Sequence, residues 1–187
     1  MFESKAGLVL AVAMVFCSAA PAEEMVENAM YANWSKFKVG TSVKLTITKE
    51  TEKGESKEQT VMTLKLVEIL DDKVVISTSY LVKDAESKFA LPAANQDVMR
   101  FVALPAKMTR KDYEKCPFGK TLEEGVESLK VGGSEYKCRW CRVKAEDNSE
   151  GKIWTSDDVP GLIVKMEGKK PGDPAKNKME LTEIKKP

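Results

Sequence analysis

The sequence predicts an all-β or β-dominated α+β protein: a single curled antiparallel sheet or half-barrel of about eight to ten strands with a short N-terminal helix. Three observations carry that prediction. Apolar side chains recur at every second position in several separate stretches, the period of a half-buried strand. Turn residues punctuate those stretches at short intervals. The segment from Val131 to Glu167 concentrates the signal, with Trp140, Trp154 and a Cys138-x-x-Cys141 pair.

Residues 1–22 read as a secretory leader: Lys5 near the start, an apolar run from Ala6 to Phe16, and small residues around Ala20 and Ala22, where cleavage is expected. The run is short of the roughly 20 residues that span a bilayer. Cys17 invites a lipid anchor, but Phe16 stands where that processing wants a small residue, so an ordinary exported chain, periplasmic or extracellular, is the expectation. Residues 23–187 then form a single β-rich domain. Met25, Val26, Ala29 and Met30 have helical spacing, which predicts a short amphipathic helix ending near Asn33-Trp34. Trp34 and Phe37 cap the core in this reading. Asn33-Trp34-Ser35 fits a glycosylation sequon, but a bacterial leader and the aromatic middle residue favour packing.

Val43, Leu45 and Ile47 alternate with polar residues and mark the first strand. Thr60 to Leu70 and Lys73 to Val82 form a hairpin turning at Asp71-Asp72, and Val67 directly after Leu66 breaks the alternation, which predicts a bulge. Phe89 to Pro92 reads as a short edge piece, and Val98 to Leu104 as a strand stopped by Pro105. Residues 106–120 read as a polar connector with a tight turn at Cys116-Pro117-Phe118-Gly119. Thr121-x-x-Glu124 matches a helix capping box, yet Gly125 weakens a helix and Gly132-Gly133 needs a strand before it, so a strand from about Val126 is expected. Tyr136 to Trp140, Lys152 to Thr155 and Leu162 to Met166 complete an antiparallel meander, with Tyr136, Cys138 and Trp140 on one face and Lys137, Arg139 and Cys141 on the other. Met179 to Ile184 is the last strand.

Charge and residue types exclude much. With 30 basic and 29 acidic residues the chain has no strong field, and no polybasic stripe suits nucleic acid. It contains 0 histidines, which removes Ser-His-Asp and Cys-His catalysis and the usual transition-metal sets. The acidic pairs Asp71-Asp72, Glu123-Glu124 and Asp157-Asp158 sit at expected turns, and neighbours in an extended chain point apart. No Gly-rich phosphate loop is present. No cofactor, metal or catalytic residue is therefore expected, and the chain does not read as an enzyme.

Three cysteines follow the leader. Cys138 and Cys141 in one extended strand would lie about 10 Å apart, beyond the ~7 Å that a disulfide tolerates. Cys116 then pairs with Cys138 or Cys141, or all three stay reduced.

The order Asn33-Trp34-x-x-Phe37-x-x-Gly40, Leu129-x-Val131-x-Gly133 before Tyr136-x-Cys138, and Ile153-Trp154-Thr155-Ser156-Asp157-x-Val159-Pro160-Gly161 with Val164-Lys165 resembles small exported proteins of planctomycete-type bacteria. The ending is similar, more loosely, to the lipoprotein-carrier fold of periplasmic lipid chaperones, which implies a curved sheet around an apolar cavity. Two roles result. One is a structural or protein-interaction module of the cell envelope, with the loop Asp157, Asp158, Val159, Pro160 and Gly161 as its contact. The other is a carrier for an apolar, lipid-like ligand, with Trp34, Trp140 and Trp154 as cavity wall.

Overall fold

The computed structural model describes residues 24–51, 54–83, 87–105, 108–144, 149–169, 172 and 175–187. The leader with Cys17 lies outside them, as do residues 52–53, 84–86, 106–107, 145–148, 170–171 and 173–174.

Alternation in the sequence becomes long strands: β2 (Ser42–Thr51), β3 (Gly54–Ile69), β4 (Lys73–Lys83), β5 (Lys88–Met99), β7 (Lys120–Val131), β8 (Ser134–Lys144), β9 (Glu150–Thr155), β10 (Ile163–Lys169) and β11 (Lys176–Lys185). These nine form one sheet in the order β5-β4-β3-β2-β11-β10-β9-β8-β7. Every neighbouring pair is antiparallel. The C-terminal strand β11 lies between two four-stranded meanders, β2–β5 and β7–β10, and hydrogen-bonds both. A separate two-stranded ribbon pairs β1 (Met25–Glu27) with β6 (Phe101–Ala103).

The expected curled sheet or half-barrel is corrected. The sheet is open, with β5 and β7 as its two ends and no pairing between them. Alternation specifies which side of each strand is apolar; it carries no term for the pairing of two strands distant in the chain, on which closure depends.

The predicted helix is shorter, α1 (Ala29–Trp34), because the residues before it enter β1. Asn28 caps it, its side chain accepting from the Met30 N–H at 2.9 Å. The connector expected over 106–120 contains a second helix, α2 (Arg110–Lys115), closed by a capping box in which Thr109 and Asp112 satisfy one another's backbone N–H. The box read at Thr121-x-x-Glu124 lies instead inside β7, which begins earlier than Val126. The short edge piece at Phe89 extends to a full edge strand, β5. The bulge expected at Val67 is present as a register shift between Leu66 and Glu68.

The main core gathers Tyr31 and Trp34 of α1, Val43, Leu45, Leu66, Val74 and Ile76 of the first meander, Cys138, Trp154 and Val164 of the second, Val159 and Leu181. Tyr31 fastens the helix to the β3–β4 turn, its hydroxyl donating to the carbonyls of Leu70 at 3.1 Å and Asp71 at 3.2 Å. A smaller core of Cys116, Cys141, Val143 and Ile153, with Phe118 and Met166 against it, sits beneath the turn that follows α2.

Candidate functional site

Directly opposed residues of a sheet share a face, so the register distributes the side chains. One row runs Cys141–Ile153–Met166–Met179–Ile47–Thr60–Val82–Phe89 through eight successive strands. The next row on that face runs Leu181–Leu45–Met62–Tyr80–Leu91. This face is apolar from one end of the sheet nearly to the other. Where α1 lies over it, Val43, Leu66 and Val74 are buried; farther from the helix, Ile47, Met62, Tyr80, Val82, Met166 and Met179 are half-buried and Phe89 and Leu91 exposed.

The opposite face carries ion pairs across β9, β10 and β11, while on β7 and β8 its Leu129, Tyr136, Cys138 and Trp140 pack with Trp154 into the main core. Its rows run Trp140–Trp154–Lys165–Glu180–Thr46 and Arg142–Lys152–Glu167–Lys178–Thr48. Lys165 bridges Glu167 at 2.7 Å, Lys178 bridges Glu180 at 3.1 Å and Lys176 bridges Glu167 at 2.5 Å. Burial would raise the Glu167 carboxyl, but hydrogen bonds from Lys165 and Lys176 outweigh it and hold the group below its ordinary value.

A groove of about 310 Å³ opens on the apolar face, walled by Ile47, Phe118, Val143, Ile153, Met166 and Met179. The methionines give it soft, adaptable walls. Phe118 reaches it because a disulfide joins Cys116 to Cys141 of β8, with Cα atoms 6.4 Å apart. Of the arrangements left open by the sequence, this is the one present. Cys138 is a free, buried thiol whose Sγ donates to the Tyr136 carbonyl at 3.5 Å. Burial pushes that thiol up, and the Glu127 carboxylate adds to the shift, so it is a poor nucleophile.

The tryptophans expected as cavity wall are elsewhere. Trp34 is fully buried in the main core. Trp140 and Trp154 oppose one another on the ionic face, where the Lys152 ammonium stands 3.9 Å from one ring centroid and 4.5 Å from the other. Glu127 accepts from the Trp154 indole N–H and from Lys152 at 3.0 Å, and these two bonds hold its carboxyl below its ordinary value.

The loop expected as a contact surface is mostly buried. Val159, Pro160 and Gly161 are inside, and Asp157 and Asp158 face solvent. Asn33, 1% exposed, holds the loop from within, its Nδ2 donating to the Asp157 carbonyl at 3.2 Å and its Oδ1 accepting from the Gly161 N–H at 2.7 Å. A Cβ at Gly161, where φ is +80°, would meet the Trp34 indole at 3.2 Å. The acidic pairs are dispersed: Asp71 and Asp72 are exposed at a turn, while Glu123 pairs with Arg142 and Glu124 with Lys115. Among the described residues, no group of three or more His, Cys, Asp or Glu could hold a metal ion. No helix among them is long and apolar enough to cross a membrane.

The groove residues escaped the sequence reading because they come from six separate segments. A legible signal did exist: Ile47, Met166 and Met179 each continue an alternating apolar series past the point where the core needs them.

No family model and no curated protein matches this chain. Among solved structures it is similar to a candidate lipoprotein from Parabacteroides distasonis, at 13% identity over 79% of this chain and 96% of that one, with a TM-score of 0.43. It is similar also to a candidate exported protein with a YmcC-like fold from Bacteroides fragilis, at 12% identity over 80% and 97%, TM-score 0.46. A third similarity is to the MucA/MucB complex of Pseudomonas aeruginosa, at 12% identity over 83% of this chain and 55% of that one, TM-score 0.39. These proteins come from bacteria other than planctomycetes, the likenesses are distant, and no role passes from them to this chain.

Proposed function

We propose that this protein is an exported, non-enzymatic binding module of the cell envelope that takes a partner protein on the apolar face of its sheet. The observation that carries this reading is the division of one sheet into an ionic face and an apolar face left half-open beyond α1. Exposed apolar surface of that extent is costly in water, and a partner that removes it from solvent is the ordinary reason for its persistence. The absence of histidine and the dispersal of the acidic pairs support binding rather than chemistry.

The test is photocrosslinking in the exporting cell with a benzophenone amino acid at Ile47, Met62 or Tyr80, against Thr46 or Val61 on the other face. A discrete protein adduct from the first set alone is the expected result. Equal adducts from both faces, or none, would remove the reading.

The groove beside Phe118 favours a second reading, a carrier of an apolar ligand, because about 310 Å³ of mainly apolar volume suits a small lipid-like molecule. Mass spectrometry of protein purified from its own compartment separates the two. A stoichiometric apolar molecule released on delipidation selects the carrier.

A further inference from the structure

We propose that the edge of β5 that no other described strand pairs joins β5 of a second copy, making two chains one continuous sheet. The two ends of the sheet are built differently. The end strand β7 carries Lys120, Glu123, Glu124, Glu127 and Lys130, the kind of charged edge that keeps other strands away. β5 carries no charge from Phe89 through Gln96 and is exposed along nearly its whole length, with Phe89 at 52% and Leu91 at 47%. Such an edge is a template for another strand unless something covers it.

Its pattern fits its own copy. Against β4, Leu91 opposes Tyr80 and Ala94 opposes Thr78, so Pro92 and Ala93 together occupy a bulge between Tyr80 and Thr78. The bulge makes the strand symmetric about itself. Leu91 and Ala94 share the apolar face, as do Phe89 and Gln96, which oppose Val82 and Ile76. Lys88 and Asp97, opposing Lys83 and Val75, share the ionic face. A two-fold axis through the bulge, normal to the sheet, then sets Leu91 opposite Ala94 of the second copy, Phe89 opposite Gln96 and Lys88 opposite Asp97. Each pair lies on one face, and the charged pairing, Lys88 with Asp97 and its symmetry mate, is of opposite sign, adding a second cation to an Asp97 that already holds Lys73 at 2.7 Å; this is the self-complementarity that an isologous interface requires. Pro92, lacking an N–H, falls at the bulge, where the ladder is already interrupted.

The test is sedimentation velocity of the purified protein over a hundredfold concentration series up to about 100 µM, with amide hydrogen exchange at both ends of the series. The expected result is a monomer–dimer equilibrium in which the β5 amides gain protection as dimer forms. Leu91→Arg, at an exposed position, should raise the dimerisation midpoint about tenfold or more, while Val126→Arg on the β7 edge leaves it unchanged. Far-UV circular dichroism of each variant verifies that the sheet persists. A monomer throughout the series would overturn the proposal, as would a dimer whose β5 amides exchange as in the monomer. A dimer unaffected by a folded Leu91→Arg variant would overturn it too.

Discussion

At the scale of single residues, Asn33 joins the first helix to a loop more than a hundred positions later. Its two bonds occupy the backbone of Asp157 and Gly161, and the Gly161 N–H has no route to water. Asn33→Ala leaves that donor unpaired, so we expect a loss of about 1–3 kcal/mol in urea unfolding. Asn33→Asp keeps an acceptor for Gly161 but sets a buried carboxylate oxygen against the Asp157 carbonyl, so it should cost at least as much. Glu127 gives a pH prediction. Bonds from Trp154 and Lys152 depress its carboxyl below the ordinary 4.5. A group depressed on folding contributes stability that is complete above its unfolded value and lost as pH falls through the folded one. Melting temperatures of wild type and Glu127→Gln should therefore differ at pH 6 and converge as the pH drops below about 4.5; a constant gap would show that the charge is irrelevant. Asn33 was legible as a packing residue from its aromatic neighbour. Its partners were not, because nothing local to Asn33 encodes the Asp157–Gly161 loop.

At the scale of elements, α2 and the turn after it are the parts most dependent on a covalent link. The helix is one short segment with a single buried side chain, Tyr113, and its continuation is tied to β8 by Cys116–Cys141. Closing a loop with a sequence separation of 25 should stabilise the fold by about 3.5 kcal/mol in the chain-entropy description. We expect Cys116→Ser/Cys141→Ser to unfold at correspondingly lower urea, and to bind less of an apolar-surface dye at the groove once Phe118 is released. The other buried thiol supplies a control: native Cys138 should resist iodoacetamide and react only after unfolding. The meander from β7 to β10 was readable because each strand pairs with its sequence neighbour, so turn chemistry and alternation suffice. The helix was missed because its capping box ends in Asp112, and because six residues among charges carry little periodicity.

At the scale of the whole molecule, the two-faced sheet makes the apolar face a surface on which substitutions should affect binding more than folding. Met179→Lys, half-buried at the groove wall, should cost no more than about 1–2 kcal/mol of stability. It should also lower the crosslinking yield at Ile47 several-fold, whereas Lys178→Met on the ionic face leaves the yield unchanged. Loss of folding in the first variant, or equal effects from both, would place Met179 in the core rather than on a binding surface.

The sequence by itself determined that the chain is a β protein, where most strands lie, which side of the strands β2 to β4 is apolar, and that no histidine-based chemistry is available to it. Those properties reside in spacing and residue type, which act over a few positions. Tertiary structure alone decided that β11 joins the two meanders, that the sheet stays open, that Cys116 meets Cys141, and that the tryptophans pack away from the groove. Each of these is a choice among partners far apart in the chain, made by the register of neighbouring strands and by the surface that their packing removes from water.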